Sequence, residues 1–246
     1  MESESCDFSI ITYVLPEKQY CLKAMQKSIK EIKKKLRKED INAEWIVTVD
    51  GQSDNSEIKH ADKIIENYSH QGISISKNKA LDKAKGKWIL SIDANETLHP
   101  ESINILLATI KQPDHIKWVM SNIPPSINIK NNDIQSGSLS EMYQKESIQI
   151  NHPNSVIIKK EILLHSTLKG WLNIPSHEDI GTLLVISELA NGTIISEPLS
   201  IIEEKETECK LRMMNQPFSF DKISTIINKI REKTGKEEII FNKKAS

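Results

Sequence analysis

Glu44-Trp45-Ile46-Val47-Thr48-Val49-Asp50-Gly51-Gln52-Ser53-Asp54-Asn55-Ser56 is the stretch on which the fold turns. Its first half is rich in β-branched and aromatic side chains and reads as a buried strand. The strand runs directly into Asp50-Gly51, a pair suited to a tight turn. Working outward, Phe8 to Val14 is a second β-branched run. Between the two, Leu22, Met25, Ile29, Ile32 and Leu36 recur at spacings of three and four, one apolar stripe of a helix. After Ser56, the residues Ile58, Ala61, Ile64, Ile65 and Tyr68 predict another helix. A short helix is predicted from about Lys77 to Ala84, broken by Gly86. Lys87 to Ile92 reads as a third strand ending at Asp93, Pro100 opens a helix through Ile110, and Trp118 to Ser121 reads as a fourth strand. Strands alternating with helices imply an α/β fold with a mixed, mostly parallel sheet flanked by helices. Ligands of such sheets bind beyond the carboxyl ends of the strands. Asp50 and Asp93 both fall there, where a carboxylate has no packing role.

The second half is less regular. Residues 124–151 are Asn- and Ser-rich with little periodicity and read as a loop or irregular hairpin over one end of the sheet. Val156 to Lys159 predicts a strand, Glu161 to His165 a short helix, His177 to Leu189 a helix stopped by Asn191-Gly192, and Thr193 to Ser196 a strand. The tail from Glu203 is charged. Its one amphipathic segment, Ile223, Ile226, Ile227 and Ile230, predicts intramolecular packing or a homodimer seam before a membrane anchor.

Composition excludes whole classes. The 246 residues carry 33 Lys+Arg against 34 Asp+Glu, a formal net charge of -1. That balance argues against a nucleic-acid partner, which selects a basic excess. Three cysteines, Cys6, Cys21 and Cys209, form neither a disulfide framework nor a metal knuckle. No run approaches the roughly 18 apolar residues of a membrane span, and the acidic Met1-Glu2-Ser3-Glu4 lacks the order of a secretory signal. The expectation is a cytoplasmic protein, with peripheral membrane contact left open.

Four stretches in order share one further pattern. Ser9-Ile10-Ile11-Thr12-Tyr13 opens the first strand. The Glu44–Ser56 stretch resembles the VDDGS segment of family 2 glycosyltransferases. Gly72-Ile73-Ser74-Ile75-Ser76-Lys77-Asn78 resembles that family's GISxARN segment. Ala84-Lys85-Gly86-Lys87-Trp88-Ile89-Leu90-Ser91-Ile92-Asp93-Ala94-Asn95-Glu96 resembles its strand and DXD element. Ser176-His177-Glu178-Asp179 then looks like the later xED element. The resemblance covers roughly residues 8–200. It implies a GT-A domain over residues 1–202, with the nucleotide-binding part at about 8–122 and the acceptor side at about 123–202, followed by a C-terminal helical extension over 203–246.

By that resemblance the chain transfers a sugar, with inversion, from a nucleotide-diphosphate donor (UDP-sugar favoured) to an acceptor hydroxyl. Asp179 would be the general base with Glu178 beside it. Thr12, Tyr13, Asp50, Lys77 and Asp93 would line the nucleotide. Asp93 and Asn95 would bind Mn²⁺ or Mg²⁺, which offsets charge on the leaving diphosphate. Trp171 and His177 are acceptor-side candidates. Asn95 stands where the family has a second Asp and weakens the metal handle, with Glu96 as a substitute ligand. Lys77 stands where the family has Arg and loses the bidentate fork.

Plainer readings exist for the same residues. Asp50-Gly51 could be only a turn, Asp93 only a polar strand end, and Glu178-Asp179 only first-turn acids favoured by the helix dipole. Lys33-Lys34-Lys35 reads as a solvated helix face. Asn95 and Lys77 also motivate an alternative from another class, a sugar-nucleotide-binding module with weak or no turnover. The residues do not reveal the acceptor, whether glycan, lipid, metabolite or peptide.

Overall fold

The computed structural model describes residues 5–121, 132–145, 156–174, 178–195, 197–202 and 220–241. Along the chain run β1 (Phe8–Val14), α1 (Leu22–Arg37), β2 (Ala43–Asp50), β3 (Lys63–Asn67), α2 (Ile73–Lys83), β4 (Trp88–Ser91), β5 (Glu96–Leu98), α3 (Ser102–Ile110) and β6 (Ile116–Ser121). Then come β7 (Asn132–Ile134), α4 (Ser138–Gln144), β8 (Val156–Lys159), α5 (Lys160–Leu163), α6 (Glu178–Leu189), β9 (Asn191–Ile195), β10 (Ser200–Ile202) and α7 (Phe220–Thr234). Eight strands form one sheet in the order β3-β2-β1-β4-β8-β6-β9-β7, and β10 pairs with β5 apart from it. The β3, β2, β1 and β4 pairs are parallel; β8 is antiparallel to both β4 and β6. The fold is therefore the mixed, mostly parallel α/β sheet that the sequence predicts.

The period of two along each strand divides the core. From β1, Phe8, Ile10 and Val14 face a cluster built with Leu22, Met25, Ile29, Ile32 and Leu36 of α1 and with Ile105 and Leu106 of α3. Ile11 faces the other cluster, with Ala80 and Leu81 of α2, Leu183 to Ile186 of α6, and Ile223, Ile227 and Ile230 of α7. The stripe on α7 thus packs within the chain. All seven residues of β1 are buried or nearly so, as a central parallel strand covered on both faces requires.

Three sequence expectations need correction. Residues 63–67 form an edge strand and not the predicted helix. Ile64 and Ile65 alternate across that strand, with Ile64 40% exposed, and the open edge of β2 satisfies the backbone from Lys63 to Asn67. Residues 124–151 are not all loop. β7 adds to β9, and α4 packs against α6, while residues 122–131 and 146–155 lie outside the described set. Lys33 is buried rather than solvated, because it forms an ion pair with Asp62; Lys34 and Lys35 are exposed as expected.

Gly86 shows how tightly the entry to β4 sits on β1. Its N–H donates to Ser9 Oγ at 2.8 Å. An added Cβ would lie 2.3 Å from Ser9 N and 2.4 Å from the Phe8 carbonyl carbon. Backbone of a central strand cannot yield to it, so Gly86→Ala is expected to cost about 3 kcal/mol, the upper range for overpacking. Thermal unfolding should register a drop of roughly 6–12 °C.

Candidate active site

The carboxyl ends of β1, β2 and β4 lie side by side, and the same period of two decides which residues face the site. On β2, Trp45, Val47 and Val49 join the α1 cluster, so Thr48 and Asp50 face α2. On β4, Trp88 and Leu90 face α1 while Ile89 faces α2, which carries Ser91 and Asp93 to the α2 side. On β1, Tyr13 is in phase with Ile11 and turns to the same side. Thr12 is out of phase. Its hydroxyl donates to Met25 Sδ at 3.4 Å and accepts from Trp45 Nε1 at 3.0 Å, inside the α1 cluster. The structure therefore places Thr12 away from the site and Tyr13 in it.

Asp50 is almost fully buried and occupied. Oδ1 accepts from Asn67 Nδ2 at 2.7 Å and from the Gln71 N–H at 2.9 Å; Oδ2 accepts from the Gly72 N–H at 2.9 Å. Burial would raise its pKa, but these hydrogen bonds outweigh it and hold the carboxyl below its ordinary range. Asn67 also donates to Ser76 Oγ and accepts from Lys79 Nζ. Asp50 thus fastens the segment 67–72 and the start of α2 to the end of β2. Gly72 carries that connection at φ 92°, a conformation that favours glycine.

From α2 the polar side chains Ser74, Lys77 and Asn78 point inward at spacings of three and four. Ser74 Oγ donates to the Leu172 carbonyl at 3.0 Å. Asn78 donates to the Trp171 carbonyl at 3.0 Å and accepts from the Trp171 N–H at 2.6 Å. Leu172 N–H donates to Thr182 Oγ1 of α6 at 3.0 Å. The loop before α6 is stitched to both helices. That delivers the Trp171 indole N–H to Asp179 Oδ1 at 3.0 Å. Trp171 is buried, and its ring is part of the site wall rather than an open stacking face for a sugar. His177, the other acceptor-side candidate, lies outside the described residues.

At the centre Lys77 Nζ donates to Asp179 Oδ1 and Oδ2, both at 2.7 Å, and to Glu178 Oε1 at 3.3 Å. The Lys77 side chain is 2% exposed and that of Asp179 is 12% exposed. Burial disfavours charge on Lys77, but Asp179, Glu178 and Asp93 outweigh it and hold its pKa above the ordinary lysine range. Lys77 is a cation. Two carboxylates share it, so one is under-compensated. Burial pushes the Asp179 carboxyl up to about 6, with Lys77 pulling down and Glu178 pushing up. Burial and the charges of Asp50, Glu17, Glu178 and Asp93 push the Tyr13 phenol up to about 12, which leaves a neutral hydroxyl at the end of β1.

Asp93 and Asn95 are half-buried on one tight turn, closed by the Glu96 N–H on the Asp93 carbonyl at 2.9 Å. Glu96 is buried in β5, paired with β10. Among the described residues, no three His, Cys, Asp or Glu side chains converge as a metal cage. One carboxylate and one amide oxygen fit a divalent cation that arrives with a diphosphate, since such ions commonly take one or two protein carboxylates and complete their shell with phosphate and water.

The sequence profile described as Glycosyl transferase family 2 matches residues 9–182. The chain belongs to that family. No curated protein sequence matches it significantly. Solved structures share the fold. Residues 1–349 of S. aureus TarS superpose with a TM-score of 0.63 at 14% identity, over 91% of this chain and 70% of that one. The same fragment in complex with UDP-GlcNAc gives 0.62 at 16%, over 92% and 66%. Glucosyl-3-phosphoglycerate synthase from Mycobacterium tuberculosis, in complex with Mn²⁺, UDP and phosphoglyceric acid, gives 0.56 at 15%, over 95% and 80%. This chain spans 42% of a longer TarS chain. The protein is thus a GT-A glycosyltransferase, and no helix among its described residues is long and apolar enough to cross a membrane.

Sequence reading reached Asp50, Asp93 and the Glu178-Asp179 pair, and the fold gathers them at one end of the sheet. It missed Asn67 and Asn78, and it gave Lys77 to the nucleotide; in the structure Lys77 donates to Asp179 and Glu178. The available signal was the polar stripe Ser74, Lys77 and Asn78 on one face of α2. A buried helix face of that kind needs polar partners.

Proposed function

We propose that this glycosyltransferase moves a sugar from a nucleoside-diphosphate donor, with UDP favoured, to an acceptor hydroxyl, with inversion at the anomeric carbon. The observation that carries the reading is the Asp179 carboxylate, held by Lys77 and Trp171 at the same sheet end as Asp93. Oδ1 accepts from both Lys77 and Trp171, whereas Oδ2 accepts from Lys77 alone. Oδ2 keeps the acceptor capacity to take a proton. The acceptor oxygen attacks the anomeric carbon as its proton passes to Asp179 Oδ2. The bond from that carbon to the phosphate oxygen breaks, and the diphosphate leaves with the electron pair. One displacement suffices, so no enzyme nucleophile is required.

Charge supports a divalent cation in this reaction. Asp93, Glu178 and Asp179 gather around Lys77, Asp50 joins Glu178 and Asp93 around Tyr13, and Lys79 lies beside Asn67. An anionic diphosphate would enter a site already negative. Asp93 and Asn95 would hold Mn²⁺ or Mg²⁺, which when bound supplies positive charge to the leaving diphosphate. Tyr13 offers a neutral hydroxyl donor on the same side, and Asp50 serves the nucleotide pocket by fixing residues 67–72. UDP is favoured over GDP because the TarS and glucosyl-3-phosphoglycerate synthase complexes carry UDP or its sugars, although a similar mannosyltransferase carries GDP-Man.

Calorimetric titration with UDP and with GDP, each with and without Mn²⁺, tests this. Metal-dependent UDP binding is expected, and Asp93→Ala should weaken it at least about tenfold, the scale of losing a charged ligand contact. Binding that ignores the metal would sink the cation assignment. Binding of UDP-sugars without any turnover would favour a non-catalytic binding module.

A further inference from the structure

Lys77 stands where the family resemblance implies a cationic contact to the nucleotide, and its surroundings argue against that use. An ammonium has three hydrogens to give. Asp179 chelates it through both oxygens at 2.7 Å, and Glu178 Oε1 stands at 3.3 Å. The Trp171 ring lies beside Nζ, 6.0 Å from it to the ring centroid, and 2% of the side chain meets solvent. Enclosed in this way, the ammonium is turned to the two carboxylates and presents almost no surface to a phosphate. The ammonium also joins two segments remote in sequence, the middle of α2 and the first turn of α6, across 102 residues.

The same two segments are fixed to each other through the loop before α6, by Ser74 and Asn78 from one side and Thr182 from the other. Behind the first turn of α6, α7 closes the packing. A Cβ on Gly181 would lie 2.8 Å from Ile223 Cδ1, and Lys222 Nζ donates to the Asn173 carbonyl at 2.7 Å. These contacts hold the Asp179 carboxylate against Lys77 and the Trp171 indole. We infer that Lys77 is a positioning residue for Asp179, which orients and neutralises that carboxylate from beneath and makes no contact with the nucleotide. This rests on the reading of Asp179 as the base.

Lys77 from α2 and Glu178 on its own helix act on Asp179; Asp93 at the end of β4 acts on Lys77, and Tyr13 at the end of β1 feels Glu178 and Asp93. Lys77 is the one cation among them. Without it, Asp179 lies beside Glu178 with no counter-charge, and the Asp179 carboxyl favours its protonated form still more.

Wild type, Lys77→Met and the double variant Lys77→Met/Asp179→Asn separate the possibilities. The double variant carries the wild-type net charge, so a nucleotide meets an unchanged overall field. Thermal unfolding is expected to show a loss for Lys77→Met that Asp179→Asn recovers by at least half, because breaking a buried pair costs more than removing both members. UDP affinity in Mn²⁺ should agree within about threefold between the double variant and wild type. The acidic limb of kcat/KM in Lys77→Met should move up by about one pH unit or more. A double variant no more stable than Lys77→Met would overturn the pairing. A loss of about tenfold or more in UDP affinity, with stability recovered, would place Lys77 on the nucleotide and overturn the inference. An unmoved limb would do the same. Wild type that binds neither UDP nor GDP, or Asp179→Asn that stays active, would instead sink the proposed reaction, and the unfolding comparison would still judge the pair.

Discussion

Asp179→Asn is expected to lower the transfer rate by about 10²–10⁴-fold, the range that one positioned general base supplies. Asparagine keeps the size and the contact to the Trp171 indole but cannot take the acceptor's proton. The fold should survive. Lys77 keeps Glu178 as its counter-ion, and a buried group of two carboxylates and one ammonium becomes a neutral pair. Donor affinity should change little, since the contacts of Asp179 run to Lys77 and Trp171. The pH profile of the wild type carries the same argument. The Asp179 carboxyl is pushed up to about 6, so the proton-accepting form is lost as pH falls through that value. Activity should be near its plateau at pH 7.5 and fall to roughly a tenth of it at pH 5. A steady-state rate series from pH 5 to 8 checks this, and a flat profile in that window would exclude Asp179 as the base.

The second large effect lies at the far end of α6. Arg231 of α7 donates from Nη1 to Glu188 Oε1 at 2.8 Å, from Nη2 to Glu141 Oε1 of α4 at 2.5 Å, and from Nε to the Glu237 carbonyl at 2.5 Å. The Glu188 side chain has no exposed surface, and Lys236 Nζ stands 3.9 Å from its other oxygen, beyond hydrogen-bond reach. Arg231→Met leaves that buried carboxylate with only Lys236, 3.9 Å away, as counter-charge. Removing one member of a buried pair costs about 3–5 kcal/mol, which for a chain of this size lowers the unfolding midpoint by roughly 6–20 °C. Arg231→Met/Glu188→Met should recover most of the loss, because the uncompensated charge goes too. Differential scanning calorimetry on both variants decides it. A single variant as stable as wild type would mean that α7 is held by its Ile223, Ile227 and Ile230 stripe alone.

Much of the fold was legible because its signals are local. The β-branched runs of β1 and β2, the five-residue stripe of α1 and the glycines within the motifs depend on residues a few positions apart. The 58–68 segment misled for the same reason. Its apolar spacing fits a helix in isolation, and only the unpaired edge of β2 makes a strand the better solution. Thr12 misled differently. It adjoins Tyr13 in a matched motif, and the strand period sends the two side chains to opposite faces of the sheet.

The chain by itself determined the alternation of strands and helices, the family, and which carboxylates stand at strand ends. Those follow from local propensity and from the order of short motifs. Only the tertiary structure decided what each charge faces. Lys77 meets Asp179 across 102 residues, Asp50 spends its oxygens on residues 67–72, and Arg231 reaches Glu188 across 43. A sequence records that an ionisable group is present, but the partner that sets its protonation is chosen by burial and by distances of about 3 Å, which exist only once the chain has closed on itself.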